Sequence, residues 1–326
     1  MELSVRIEHW PLAGAFTISR GSKTEAIVVV AELGDGAHRG RGECVPYARY
    51  GETPDGTVAA IEAMRPALRR GLDRAALQRS MPAGAARNAV DCALWDYEAK
   101  RAGRRAYEMA GLATPQPLVT AYTISLGTPV EMAEAVQKVT SRPLLKVKLG
   151  GGGNDGARIA AVRHAAPKAK LIVDANEGWD EKDLEKNLAA CGAVGVTLIE
   201  QPLPEGRDAV LARINRPIPV CADESVRDRA SLDALTGKYD AINVKLDKTG
   251  GLTEALALVA VAQQRGLVIM VGCMVATSLA MAPAMLVAQQ ASVVDLDGPL
   301  LLAKDRPEGL RYAGSLACPP EPALWG

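Results

Sequence analysis

The segment LLKVKLG at residues 144–150 decides the fold of this chain. It is a short apolar run of strand type with Lys146 and Lys148 two positions apart. Residues i and i+2 of a strand share a face, so both ammonium groups point the same way. Working outward, LIVDAN (171–176), VTLIEQP (196–202), IPVCADES (218–225) and AINVKLDK (241–248) repeat the design. Each apolar segment ends in a charged residue: Asp174, Glu200, Asp223 and Lys245. Roughly two dozen residues separate one from the next, which is room for a loop, a helix and a new strand. Such a rhythm predicts a parallel β/α array whose charged side chains converge at the carboxyl ends of the strands. That is where a TIM barrel assembles its active site.

Strands are expected near 119–125, 144–149, 170–174, 196–200, 219–223, 241–245, 268–272 and 292–296, with amphipathic helices such as 130–140 and 253–265 between them. The part preceding them reads differently. Val5–Trp10 and Ala26–Leu33 are β-rich, and the glycines of Gly34–Gly42 suggest a turn. Helical patterns follow at Thr57–Arg69 and Ala85–Arg101. The fold class is therefore α/β: a TIM-type barrel over 116–302, an α+β capping domain over 1–115 with a boundary near Thr114–Pro117, and a tail (303–326) packing back on the cap.

Composition fits a large enzyme domain. The 326 residues are 48% hydrophobic and 23% charged, with 38 basic against 38 acidic side chains. A balanced charge implies neither nucleic acid nor an anionic membrane as partner. The longest apolar stretch, near Ala255–Ala262, is too short to span a bilayer. MELSVRIEHW lacks a secretory pattern, and the six scattered cysteines contain no CxxC motif. The expectation is a cytoplasmic protein with reduced thiols. Homo-oligomerisation is left open.

Asp174, Glu200 and Asp223 at neighbouring strand ends would repel one another without a cation between them. As hard oxygen donors they suit Mg²⁺. None of the three histidines, His9, His38 and His164, lies near a strand end, which argues against zinc and imidazole chemistry. Lys146 and Lys148 should depress each other's pKa, as a base working near neutrality needs. Lys245 ends the sixth strand, across an eight-stranded barrel from Lys148. Alternation places Asp295 and Asp297 of DLDGP (295–299) on one face, an acidic pair suited to a cationic group. One motif competes. Gly151–Gly156 satisfies GxGxxG, follows a strand and opens a helix. The inward lysines before it and the acids after it have no role in a dinucleotide fold, so it reads as a flexible loop.

Together these residues carry a resemblance. KVK (146–148), DAN (174–176), EQP (200–202), ADES (222–225), VKLDKTGG (244–251) and the cap segment AVDCALWDYEAKRAG (89–103) are similar, in order and spacing, to the muconate-lactonizing subgroup of the enolase superfamily. Within it the chain looks most like the dipeptide epimerases, especially those acting on L-Ala-D/L-Glu in murein peptide turnover. DLDGP and GCMVATSLA (272–280), with Ala276 where glutamate is usual in the subgroup, carry that narrower likeness. The resemblance implies a (β/α)7β barrel and one Mg²⁺ on Asp174, Glu200 and Asp223. It implies a two-base 1,1-proton transfer by Lys148 and Lys245 on a small dipeptide. Lys146 would contact the substrate carboxylate, and Asp295 and Asp297 would hold its α-ammonium. Thr123 would be a further contact. Arg20, in the lid segment AFTISRGSKTEA (15–26), would meet a glutamyl side chain, with Lys23 its competitor. The alternatives are cycloisomerisation, o-succinylbenzoate synthesis, N-acylamino-acid racemisation, and a non-catalytic binding protein on the same barrel.

Overall fold

The computed structural model describes residues 1–326. Eight parallel strands in sequential order form the barrel: Tyr122–Ile124, Leu144–Lys148, Lys170–Asp174, Val196–Glu200, Val220–Ala222, Ala241–Val244, Val268–Gly272 and Val293–Asp295. Hydrogen bonds from Ala121 N to Val294 O (2.8 Å) and from Leu296 N to Thr120 Oγ1 (2.8 Å) join the first strand to the eighth. The strand side chains alternate with period two. Ala121, Leu144, Ile172, Leu198, Cys221, Ala241, Met270 and Val293 form one inward apolar layer at the floor. The next inward positions are Thr123, Lys146, Asp174, Glu200, Asp223, Asn243, Gly272 and Asp295, so the polar layer stands directly on the apolar one.

The first expected strand, 119–125, is two pieces. Leu118–Val119 leaves the barrel to pair with Leu316–Ala317, and Tyr122–Ile124 alone joins it, since Thr120 spends its hydroxyl on Leu296. Helices of 9 to 13 residues follow the first, second, third and sixth strands at Pro129–Gln137, Asp155–Ala165, Glu181–Ala193 and Leu252–Gln264. Ser278–Ala288 follows the seventh. The fourth and fifth connections hold only 3₁₀ turns (Ala209–Ala212 and Arg229–Leu235), and the eighth strand runs into another at Gly298–Leu301. The architecture is a (β/α)7β barrel with trimmed loops.

The cap is an antiparallel meander of Glu2–Ile18, Gly21–Gly34 and Arg39–Cys44, backed by helices. The glycine-rich stretch expected to be one turn is a turn only around 35–38; beyond it lies the third strand. Gly40 and Gly42 are there for contact with the helix Ala85–Ala102. A Cβ at Gly42 would stand 2.7 Å from Ala93 N, and one at Gly40 would collide with the backbone at Ala93 and Tyr97. The helical pattern at 57–69 is likewise two helices, Pro54–Glu62 and Arg65–Arg69. Pro66 opens the second, where no intrahelical donor is required. The C-terminal residues lie against the cap helix: the buried Trp325 donates Nε1 to Cys92 O (3.0 Å), and Gly326 N donates to Asp96 Oδ1 (2.7 Å). The hairpin of the first two cap strands has a register break between Pro11 and Phe16 and leans over the barrel mouth. There Ala303 N donates to Pro11 O and Leu126 N to Thr17 O. No helix is long and apolar enough to cross a membrane.

Candidate active site

The barrel's polar layer opens into a cavity of about 520 Å³ roofed by the hairpin, with Lys146, Lys148, Asp223, Lys245, Thr123, Asp295 and Asp297 in its wall. Asp174, Glu200 and Asp223 stand at three neighbouring strand ends, all buried, with one carboxylate oxygen of each within 4.8 Å of the others. Three hard anionic donors converging at buried positions fit a divalent cation such as Mg²⁺. They are positioned to bind it.

Lysines interleave with these acids. Lys146 Nζ lies 2.7 Å from Glu200 Oε2, 2.8 Å from Asp295 Oδ2 and 3.2 Å from Asp174 Oδ2. Lys148 Nζ donates to Asp174 Oδ2 (2.7 Å) and Lys245 Nζ to Asp223 Oδ2 (2.6 Å). The electrostatics reverse one expectation. Repulsion from the neighbouring ammonium was to lower the pKa of Lys146. Burial does work against the Lys146 charge, but Asp295, Glu200 and Asp174 outweigh it and hold Lys146 well above its usual value. Lys245 is likewise raised, because Asp223 and Glu200 overcome its burial. The acids divide in the opposite sense. Burial is overcome at Asp174 by Lys148 and Lys146, which hold it below the usual range. Burial and the Asp174 charge push Glu200 up to about 8. A dication on the triad would supply the positive charge that the lysine ammoniums supply here.

Several further residues support the triad. Asn243 points inward from the sixth strand and donates Nδ2 to Glu200 Oε1 (2.8 Å). Gly272 makes room for it: a Cβ there would meet Asn243 Oδ1 at 2.7 Å. Gln201 accepts from Asp223 N (2.8 Å) and Ser225 N (3.1 Å) with one oxygen, fixing the loop of the third ligand. It does so at φ 34°, with Asn176 (45°) and Glu177 (65°) also left-handed just beyond Asp174. Non-glycine residues rarely adopt this conformation, and it concentrates at sites. Asp247 and Lys248, just beyond the sixth strand, are buried as well. Lys248 Nζ donates to Asp223 Oδ1 (2.6 Å), and Asp247 Oδ1 accepts from Asn88 Nδ2 (2.8 Å) and Val45 N (2.9 Å) in the cap.

Asp295 and Asp297 share a face. Asp295 Oδ1 is buried without a hydrogen-bond partner. Asp297 Oδ2 accepts from Thr123 N (2.6 Å), and burial beside Asp295 pushes its carboxyl up to about 7. Arg20 reaches the cavity rim, but its guanidinium is already engaged. Nη2 donates to Glu224 Oε1 (2.6 Å) and Tyr47 OH (2.6 Å), and Nη1 to Asn176 O (2.6 Å) and Glu177 Oε2 (3.1 Å). The GxGxxG loop holds no vacant anion site. Asp155 at the helix start accepts from Gly150 N (2.8 Å) and Trp179 Nε1 (2.7 Å), filling that end internally.

A capped (β/α)7β barrel with a carboxylate triad between two lysines defines a class of metal-assisted enzymes that move a proton beside a carboxylate. Two family models place the chain within that class. Residues 131–312 match the enolase C-terminal domain-like family, and 1–111 match the N-terminal domain of the mandelate racemase and muconate lactonizing enzymes. The chain belongs to the enolase superfamily. It is 46% identical over 307 residues to the L-Ala-D/L-Glu epimerase of Escherichia coli K12, covering 94% of this chain and 95% of that one. It is also 46% identical over 301 residues to an N-acetyl-D-glutamate racemase of a Pseudoalteromonas species, covering 92% and 95%. Among solved structures, an Agrobacterium tumefaciens enolase family member with homology to dipeptide epimerases superposes with a TM-score of 0.98 at 56% identity. The match covers 99% of both chains, and that structure has bound sodium and L-Ala-L-Glu, with an ordered loop.

Proposed function

We propose that this protein is a Mg²⁺-dependent dipeptide epimerase that inverts the α-carbon of the C-terminal residue, with L-Ala-D/L-Glu as its substrate. The observation that carries this reading is a single cavity whose wall carries both Asp223 of the carboxylate triad and the buried Asp295–Asp297 pair. A dipeptide offers the matching groups, a terminal carboxylate and an α-ammonium.

Asp174, Glu200 and Asp223 would hold the ion, which stabilises the negative charge that grows on the substrate carboxylate when its α-proton leaves. Lys146, already among three carboxylates, steadies that same carboxylate. Lys148 and Lys245 stand four strands apart around an eight-stranded ring, on opposite sides of the space between. One takes the proton from one face and the other returns a proton to the opposite face, so the centre inverts. Asp223 orients Lys245, and Asp174 orients Lys148. Asp295, with an unpartnered oxygen, and Asp297, held by Thr123, receive the ammonium. The cap hairpin excludes water from the reacting carbon.

The relative named for N-acetyl-D-glutamate favours a second reading, racemisation of an N-acylated amino acid. The free buried oxygen of Asp295 favours an ammonium, because an acylated nitrogen carries no positive charge to meet the pair. Placement in murein peptide turnover belongs to the same proposal. Dipeptides and their N-acetyl counterparts are to be incubated in D₂O with Mg²⁺ and followed by mass spectrometry. Gain of one mass unit at the α-carbon of free L-Ala-L-Glu, with N-acetyl-L-Ala-L-Glu slower by about 100-fold or more, is the expected result. Equal turnover of the two overturns the role of the acidic pair.

A further inference from the structure

Glu200 and Asp223 stand at the ends of the fourth and fifth strands, whose connections hold 3₁₀ turns in place of a helix. A buried polar cluster links those connections to the start of the sixth strand. Its centre is Gln201, the residue after Glu200. The Gln201 oxygen accepts from Asp223 N and Ser225 N, and its Nε2 lies 2.9 Å from Leu203 O, 2.8 Å from Ser225 Oγ and 3.0 Å from Tyr239 OH. The Tyr239 hydroxyl donates to Asp208 Oδ2 (2.7 Å), and Lys238 Nζ donates to Asp208 Oδ1 (2.7 Å). Gln201, Tyr239 and Asp208 are all buried. Burial works against the Asp208 charge, but hydrogen bonds from Lys238, Tyr239 and Ser225 overcome it and hold the carboxyl below its usual value. An ionised carboxylate can only accept. The phenol beside it therefore spends its one proton on Asp208 and turns a lone pair to Gln201. Gln201 must then offer its NH2 on that side and its oxygen to the two backbone amides. One buried charge thus sets the direction of every bond from Lys238 to Asp223 N. It also helps hold Gln201 at φ 34°, a backbone state that persists only where its surroundings over-determine it.

We propose that Tyr239 and Asp208 are positioning residues for the metal site: they fix the Gln201 amide, which ties the strand end presenting Glu200 to the backbone of Asp223. This deepens the metal-assisted reading above and rests on it. Neither Tyr239 nor Asp208 stands in the cavity wall, so both act through Gln201. Mg²⁺ demands near-ideal octahedral geometry, whereas Ca²⁺ accepts longer and less regular coordination. Loosening the spacing between Glu200 and Asp223 therefore costs Mg²⁺ more than Ca²⁺. A cluster that served the fold alone would leave the balance between the two ions unchanged.

The test titrates Mg²⁺ and Ca²⁺ by calorimetry into the EDTA-treated, dialysed protein as wild type, Tyr239→Phe, Asp208→Asn and the double variant. Tyr239→Phe removes a single oxygen. Gln201 Nε2 keeps Leu203 O and Ser225 Oγ, and Asp208 keeps Lys238 and Ser225, so the variant should fold. It should weaken Mg²⁺ binding by about 10-fold, the lower end of what losing a group that orients a metal ligand costs, and Ca²⁺ binding by about threefold at most. Asp208→Asn should act in the same sense. The double variant should lose no more than the larger single loss, because both residues act through one amide. The inference is overturned if Mg²⁺ affinity stays within about twofold of wild type in both single variants, even where the metal-free Tm falls. It is equally overturned if the two ions weaken alike, or if the losses multiply in the double variant. Should Tyr239→Phe not fold, Asp208→Asn decides by the same criteria. A wild type that binds neither ion sinks the metal reading together with this inference. A wild type that binds Mg²⁺ no better than its variants sinks this inference alone.

Discussion

The barrel mouth and the hairpin above it both present charged side chains to one cavity, but different things fix their positions. At the mouth each charge is an inward residue of a strand, held by ladder hydrogen bonds and by a floor of eight apolar side chains. On the hairpin the charges sit near a two-residue tip past a register break, and the partners of Arg20 lie on loops of the barrel. Strand-end geometry is built into the barrel, whereas hairpin geometry depends on ion pairs. On the proposed reading the chemistry sits on the first and the contact with the substrate side chain on the second, the usual division between a rigid scaffold and the loops it carries.

The largest effect that tests this division is expected at the two lysines. Lys148→Ala and Lys245→Ala should each lower epimerisation by about 10³-fold or more. Each should still exchange the α-proton of one substrate epimer with D₂O, and the two variants should differ in which epimer. An epimerisation rate near wild type for Lys245→Ala would show that the opposed strand ends do not face the same carbon.

Metal removal comes next. EDTA should abolish activity and Mg²⁺ restore it, and full activity after chelation would break the link between triad and reaction. Glu200→Gln is the cleaner probe of the site than Asp223→Asn. Asp223 makes close ion pairs with both Lys245 and Lys248, so its loss leaves buried ammonium groups unmatched, at a cost of about 3–5 kcal/mol. Glu200 is pushed up to about 8, so a neutral amide copies its metal-free form. We expect Glu200→Gln to fold, to lose Mg²⁺ binding in calorimetry, and to be inactive.

A smaller effect is expected at Gly272→Ala. The added methyl must displace the Asn243 amide from 2.7–2.8 Å, and with it the hydrogen bond to Glu200. Mutating a group that orients a metal ligand costs about 10–100-fold in affinity or activity. Unchanged Mg²⁺ affinity in Gly272→Ala would show that Asn243 does not orient the ligand.

What could be read from the sequence follows the same division. Period-two alternation and a charge at each strand end placed Asp174, Glu200, Asp223, Lys148 and Lys245 before any coordinates. A residue on a barrel strand has only two faces to choose from, and one is the interior. The same logic could have flagged Asn243, two positions before Lys245 on the inward face. Gln201 was hidden because its role depends on a left-handed backbone just before Pro202, where an extended one is the rule. Gly40 and Gly42 were mistaken for turn residues because composition does not separate a glycine that bends the chain from one a helix packs against. Arg20 and Lys23 were both visible as lid cations. Which of them is free depends on Glu177 and Glu224, more than 150 positions away, and no local pattern reports that.

The smallest effect is thermal and comes from the raised carboxyls. Glu200 is moved from 4.5 to about 8, and Asp297 and Asp247 from 3.8 to about 7, with burial the leading cause in each. The folded metal-free protein therefore keeps protons that the unfolded chain releases above pH 4 to 5. By linkage, stability from these groups is complete below that point and is lost as pH rises towards 8. Asp174 and Asp223 are shifted the other way; they erode stability only in acid, below the ordinary carboxylate range, and leave this window clear. The Tm of EDTA-treated protein should be higher at pH 5.5 than at pH 8 by several degrees, about 2–4 °C for each kcal/mol in a chain this long. Mg²⁺ should reverse the trend, raising Tm strongly at pH 8, where Glu200 yields its proton readily, and little at pH 5.5, where the ion must displace it. In Glu200→Gln the upper part of the slope should flatten and the Mg²⁺ response should vanish. If the metal-free Tm instead rises from pH 5.5 to pH 8, the buried acids are not storing protons. The lysines would then neutralise the whole triad without the ion, and the strand-end site would need no cation to be stable at neutral pH.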